Sequence, residues 1–507
     1  MSKDRAASVV KRDVEAISIT PSMWRATALI TSQSFCFGYV IVALNPCLVT
    51  GDEKKGSACF DGGDTSCPVG SIYRDLKLSS TDASLATSLL VIGAWIGCLA
   101  ASRPGEVYGR KRSLLYNNLL FIVGAVLTAS GNLALLNVGR FVSGLATGVC
   151  SVLVPVLLSE VASPETRGVI TTLHQVVLTA AILIAALVGY GLVTYANHGW
   201  QYTVSLSGLP PLIMLLLREH VPESPKWLVN QGRIEEAVAV LQTIRPDGHN
   251  SVAEADTIIE DSRGDASNNT TWTEVLQHKQ AMIVGCGLMF FQALTGINSV
   301  VYYSTTIFGF AGFSQAILAT ASFGVVNFVT TVFSASLVDS MGRKRLLLIG
   351  TTTMMCGLLV LSSVLCSSGA ASAAQGYVAV FALLVYVFGF AIGLGAVVWV
   401  IMSELIPTRV RTKALSIFLC ISWGSNLVVG LTTLPLIEAM GGVSSGMTDD
   451  AQSQAEKLGV AYLYFFFAGM SFISLVFIQF CVPETKGQSA LLESSDVQNP
   501  LLSPRWP

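Results

Sequence analysis

Charge is what this chain has least of. Asp, Glu, Lys and Arg make up 12% of its 507 residues, against about 25% in soluble domains. So few charges cannot coat a globule of this size, which excludes a soluble enzyme. The 30 basic and 32 acidic residues leave a net charge of −2, so there is no basic footprint for nucleic acid. No pair of cysteines has metal-ligand spacing. No phosphate-binding loop and no nucleophile–base constellation is present. No metal, cofactor or catalytic residue is therefore expected. An apolar share of 52% excludes disorder. A mean hydropathy of +0.62 points instead to a polytopic membrane protein. The 45 glycines agree, since glycine is commoner in membrane helices than in soluble ones.

A spanning helix needs about 20 mostly apolar residues. Twelve such runs are read, at roughly 22–49, 82–104, 113–131, 134–160, 167–195, 200–218, 280–309, 315–340, 345–368, 376–405, 412–438 and 459–482. The first run is too long for a cleavable signal core, and no small-residue cleavage site follows it. Lys and Arg set the orientation. With the N-terminus and every even-numbered connection in the cytosol, those segments and the span ends that border them hold 23 of the 30 basic residues. The opposite side holds Lys54, Lys55, Arg74, Lys77 and Lys457, and Arg25 and Arg140 fall inside spans. Both termini are thus expected to be cytosolic. The sequons at Asn268 and Asn269 would then stay unmodified. Cys59 and Cys67 share one polar loop and could pair if it faces an oxidising space.

The expected organisation is a tail over 1–21, a six-helix bundle over 22–218, a cytosolic linker over 219–279, a second bundle over 280–482 and a tail over 483–507. In the linker, Trp227, Leu228, Ile234, Ala237, Val238 and Leu241 recur at helical spacing, which predicts short amphipathic helices.

The two halves repeat each other. Tyr108-Gly-Arg-Lys-Arg follows span two and Met341-Gly-Arg-Lys-Arg follows span eight. Ser159-Glu160 with Arg167 follows span four; Ser403-Glu404 with Arg411 follows span ten. Pro222-Glu-Ser-Pro225 follows span six and Pro483-Glu-Thr-Lys486 follows span twelve. Three motifs in one order after corresponding spans imply two like bundles rocking about a central path.

These motifs, with Glu106-x-x-Gly109-Arg110-Lys111, Pro155-x-x-x-Ser159-Glu160, Glu165-x-Arg167-Gly168 and Gln292-x-x-x-Gly296-Ile297-Asn298, resemble the sugar porter branch of the major facilitator superfamily. Facilitative glucose transporters are the nearest branch, and the likeness covers roughly 22–487. It implies an all-α membrane protein of twelve transmembrane helices in two six-helix bundles.

Charges at the motif ends form an inner gate in this family. The matching residues are Arg110, Glu160 and Arg167 in the first half, and Asp339, Arg343, Glu404 and Arg411 in the second. Pairs across the seam between the halves are expected to favour the outward-open state.

Deep polar side chains are costly in a span and default to function. Amides both donate to and accept from sugar hydroxyls, and aromatic rings pack on the C–H face of a sugar. By resemblance, Gln175, Gln292, Asn298, Asn327, Trp399 and Asn426 match sugar contacts. Trp423 matches a pocket-side tryptophan, and Phe37, Ile182 and Phe390 match apolar walls. Tyr302 and Tyr303 match an aromatic outer gate. The chain departs from the family at Ala293, where a second amide is usual, and at Ala391, where an acid is common. Gly393-Leu-Gly395 replaces a proline-rich break before Trp399, and glycine can still bend that span.

Proton-coupled members carry an Asp after Phe-Gly-Tyr in span one. Here Val40 follows Phe37-Gly38-Tyr39. No Asp or Glu lies in a span interior. His174 is the one titratable candidate, read as a hydrogen-bonded neighbour of Gln175. The expectation is a monomeric plasma-membrane uniporter for a hexose such as glucose, with the sugar and the lipid bilayer as its only partners. The alternatives are a proton-coupled sugar symporter, a polyol carrier and a non-transporting nutrient sensor.

Overall fold

The computed structural model describes residues 19–48, 69–78, 80–163, 166–266, 272–301, 316–367, 373–406, 408–444 and 447–485. Every span that the sequence suggests is represented by a helix in the described residues. Helices dominate because a backbone surrounded by lipid must satisfy its own N–H and C=O groups. Eight helices are long and apolar enough to cross a bilayer, among them Pro21–Cys47 and Leu133–Val161. Large apolar side chains stay exposed around the barrel of helices: Val126 at 66%, Phe333 at 62% and Phe480 at 66%. Such a surface suits lipid, not water.

The remaining four spans have local reasons for falling short. Span three, Arg110–Thr128, opens on three basic residues and carries Asn117 and Asn118. Span six is cut into Gly199–Ser205, a tight turn at Leu206–Gly208, and Leu209–Leu216. Pro210 and Pro211 follow that turn, and proline removes the N–H that would continue the helix. Span seven, Lys279–Leu294, stops at Thr295–Gly296 before resuming at Ile297. Span eight, Ala316–Met341, is apolar over the shorter stretch Ser322–Ser334.

Small residues set the packing within the first half. Gly93 and Gly97 of span two, Ser80–Val107, face Gly144 and Gly148 of span four. A Cβ at any of them would be driven into a backbone carbonyl of the other helix. The halves meet where span two lies against span eleven, Thr408–Gly441, and span five, Arg167–Tyr195, against span eight. At the first seam the Trp95 indole donates to the Cys420 carbonyl at 3.1 Å. On the side away from the charged motifs, Asn45 Nδ2 donates to the Val301 carbonyl at 3.1 Å, tying span one to span seven.

The linker folds as expected into short helices, Pro225–Asn230, Ile234–Ile244, Ser251–Ala266 and Trp272–Gln277. Trp227, Leu228, Ala237 and Leu241 are buried and Val238 is half-buried. Ile234 is 44% exposed, against expectation. Helical side chains lean toward the N-terminus, and Ile234 is the first residue, so its side chain projects off the helix end. The linker is pinned to the first half. Arg245 pairs with Glu254 at 2.6 Å and donates to the Val161 carbonyl at the end of span four. Thr20 caps span one by accepting from Met23 N, while its hydroxyl donates to the Ile244 carbonyl at 2.9 Å.

Candidate substrate site and charged clasps

The three repeated motifs converge into one clasp in each half. Gly109 and Gly342 sit at φ +92° and +88°, the left-handed region that favours glycine. Each turns the chain sharply from one span into the next. Arg110 then reaches Glu160 at 2.9 Å, and Arg343 reaches Glu404 at 2.8 Å. Both pairs are mostly buried, with side chains 11–18% exposed. The glutamate of the Pro-Glu motif completes the clasp. Glu223 accepts from the amides of Arg110 at 2.9 Å and Lys111 at 3.0 Å, and Glu484 accepts from those of Arg343 and Lys344 at 2.9 and 3.1 Å. A carboxylate placed there satisfies orphan N–H groups at the first turn of a helix and meets the positive end of its dipole. Thr485 adds a hydroxyl on Glu404. The place of Glu223 and Glu484 in these clasps went unread in the sequence, although the recurrence of Pro-Glu-Ser and Pro-Glu-Thr carried the signal.

These pairs correct one expectation. Among the described residues the motif ion pairs run within each half, not across the seam. The reason is chain geometry: the motif turn at the end of span two lies beside the end of span four, its packing partner. Arg167 is exposed and forms no ion pair among the described residues. Asp339 and Arg411 lie on described helices, but their side chains are outside the described set. Tyr302, Tyr303, Cys59, Cys67, Asn268, Asn269, Glu165, Lys486 and Gly487 lie outside the described residues altogether.

Deeper in, two broken helices satisfy each other. Gly296 breaks span seven at φ +89°, and a Cβ there would strike the Phe467 ring. Span ten, Ala373–Phe390 continuing as Val397–Leu405, is interrupted by a π-helical turn at Ala391–Gly395, where the glycines were expected to bend it. Such breaks free backbone carbonyls that must find donors inside a membrane. Gln292 Nε2 donates to the Leu394 carbonyl at 2.7 Å. In return, Tyr386 of span ten donates its hydroxyl to the Thr295 carbonyl at 3.0 Å. Ser334 of span eight donates to the Ile392 carbonyl at 3.2 Å. The scaffold therefore occupies one of the two Gln292 Nε2 donors, and no described partner takes its Oε1 acceptor.

Asn298 lies just beyond the break and donates its Nδ2 to Asn426 Oδ1 on span eleven. That leaves one amide oxygen on Asn298 and one amide nitrogen on Asn426, an acceptor beside a donor. Trp423, one turn earlier, sits 5.8 Å from the Phe37 ring and donates to Ser151 Oγ of span four at 3.4 Å. Contacts from spans one, four, seven and eleven thus link Phe37, Trp423, Asn426 and Asn298. Gln175 is half-buried and Asn327 buried. Neither side chain hydrogen-bonds within the described residues, so both amides remain unspent. Ile182 is buried, while Trp399 and Phe390 are half-buried around the π-turn.

His174 is hydrogen-bonded, but to Ser34 Oγ of span one at 2.8 Å rather than to Gln175. Consecutive helical residues point about 100° apart and do not face each other. Three amides passed over in the sequence, Gln33, Asn117 and Asn118, form a buried network joining spans one and three in which both ends of Gln33 are satisfied. They act as helix glue, and sequence alone does not separate such amides from a site.

Span four carries Arg140, 2% exposed. Its guanidinium donates to the Val40 carbonyl at 2.9 Å and to the Ala86 carbonyl at 3.2 Å.

Residues 26–494 match the family of sugar (and other) transporters. The chain belongs to that family. Among the family's curated proteins, a glucose transporter, GlcP of Staphylococcus epidermidis, is 32% identical over 85% of this chain and 92% of its own length. Myo-inositol transporter 1 of Candida albicans is 29% identical over 84% and 78%. Among solved structures, the major facilitator proton:xylose symporter XylE bound to 6-bromo-6-deoxy-D-glucose superposes with a TM-score of 0.73 at 25% identity. The match covers 92% of this chain and 98% of that one. This family member is accordingly an integral multi-pass sugar transporter of the major facilitator fold, not an enzyme.

Proposed function

We propose that this transporter is a uniporter that equilibrates a hexose such as glucose by alternating access. It works as a monomer in the plasma membrane with both termini in the cytosol. The bundles are 22–218 and 280–482, joined by the linker 219–279 and flanked by tails 1–21 and 483–507. The observation that carries uniport is the environment of Arg140. Its cation meets the backbone carbonyls of Val40 and Ala86 where a proton-coupled relative would offer a carboxylate. Neither these backbone carbonyls nor the Val40 side chain titrate, so none of these groups can take up and release a proton during the cycle.

The sugar sits among Gln175, Gln292, Asn298, Asn327, Trp399 and Asn426, with Trp423, Phe37, Ile182 and Phe390 as walls. Tyr302 and Tyr303 close it from outside. Arg110 with Glu160 and Arg343 with Glu404 control the cytosolic side by holding each half rigid, so that the halves move as bodies, and Arg167, Asp339 and Arg411 belong to the same inner gate. Proteoliposomes given an inward proton gradient test the coupling. Labelled glucose should level at the outside concentration. Uncoupler-sensitive accumulation above it would overturn uniport and turn attention to His174. Symport is the second reading, since the structural relative is a proton:xylose symporter. A counterflow panel of hexoses, pentoses and inositols separates hexose from polyol transport.

A further inference from the structure

A cavity of about 590 Å³ opens where spans one, three and six meet the linker, on the face that carries the charged motifs. It is distinct from the central path, since its walls belong to the first half and the linker. Five cationic side chains line it, Arg25, Lys111, Arg112, Arg218 and Arg233, with His220 beside them. Three carboxylates also line it, and each is already engaged. Glu223 is turned to the backbone amides of Arg110, Lys111 and Ser224. Glu236 is clamped by Arg233 at 2.6 Å, and Glu219 lies against Arg218 at 3.4 Å. Among the described residues, Arg25, Lys111 and Arg112 make no ion pair. Arg112 acts at longer range on Glu236, which Arg233 already clamps, and the described lining carries five cations against three carboxylates, an excess of positive charge.

Its surroundings indicate what the counter-charge is. Trp24, next to Arg25, is 45% exposed at the start of span one, the depth at which tryptophan marks the headgroup level. Tyr116 of span three, next to the lining residue Leu115, and Leu216 of span six, two residues before the lining residue Arg218, are 61% and 74% exposed, an apolar surface suited to acyl chains. A basic pocket over an apolar wall fits an anionic headgroup with its chains lying along the spans. We propose that this cavity binds the phosphate of an acidic phospholipid, and that the bound headgroup ties the starts of spans one and three to the linker. A soluble phosphate would use the same cations but not the apolar wall, and that wall favours the lipid.

The test uses the full-length protein, delipidated in detergent and titrated with dioleoyl phosphatidic acid while bound lipid is counted by native mass spectrometry. Dioleoyl phosphatidylcholine, glycerol 3-phosphate and inorganic phosphate are the comparison arms. Phosphatidic acid should bind and raise the melting temperature, and phosphatidylcholine should do neither. The exposed pair Arg25→Gln with Arg112→Gln should weaken phosphatidic acid binding roughly 10- to 30-fold. A charge-matched control, Lys279→Gln with Arg345→Gln in the second half, should leave it unchanged. Equal loss in both double variants would overturn the site. Competition by glycerol 3-phosphate or inorganic phosphate as strong as that of the lipid would overturn the lipid as its occupant.

Discussion

Replacing Gln292 with alanine probes two jobs of one side chain. The Nε2 group holds the Leu394 carbonyl at 2.7 Å in the π-turn of span ten, and the proposed role of Oε1 is to accept from a sugar hydroxyl. Removing the acceptor deletes one hydrogen bond to sugar, worth about 0.5–1.5 kcal/mol, so affinity should fall roughly 2- to 13-fold. Removing the donor leaves a buried carbonyl unsatisfied, at about 1–3 kcal/mol of stability. Gln292→Ala should therefore raise the half-saturating glucose concentration in counterflow and also lower the melting temperature. Gln292→Leu keeps the bulk but supplies neither donor nor acceptor. It should melt early and lose about as much affinity as alanine. Wild-type half-saturation in Gln292→Ala would remove Gln292 from the site. Wild-type melting in both variants would refute the tie between the two broken helices.

Four further outcomes follow from the geometry. Arg343→Ala removes a charge-assisted contact to Glu404 worth about 1.5–3 kcal/mol; turnover should drop several-fold while sugar binding persists, and unchanged transport would sink the gate role. Gly97→Ala drives a methyl group into the Leu145 carbonyl, so it should destabilise by about 1–3 kcal/mol. Gly191→Ala meets nothing within 4 Å and should melt like wild type or slightly higher. In the linker, burial opposes ionisation of Glu254, but Arg245 outweighs it and holds the carboxyl below its ordinary value. The clamp thus contributes fully above the usual glutamate range, near pH ~4.3, and is lost as pH falls through the depressed value. Melting of Glu254→Gln should differ from wild type at pH 7 and converge with it in strong acid. A gap that persists there would refute the titration argument.

Sequence by itself determined the number and order of the spans, since transfer of about 20 apolar residues into lipid is a sum of local contributions. It determined the repeat as well, because corresponding motifs after spans two, four and six recur after spans eight, ten and twelve. Gly393-Leu-Gly395 was visible as a weak point in span ten, since glycine weakens a helix interior, whereas the break at Gly296, with φ +89°, emerged only in the structure. The ends of each bond also lay beyond the reach of sequence. Whether an amide is glue or site depends on which groups stand opposite, and those partners are far away in the chain. Gln33 and Gln292 are the same residue type at similar depth. One is closed off by Asn117 and Asn118, and the other shares its amide between the π-turn and the space beside it. The same holds for the motif arginines. Composition at the span ends announced a charge network, but only the packing of span two on span four decided that Arg110 answers Glu160 of its own half.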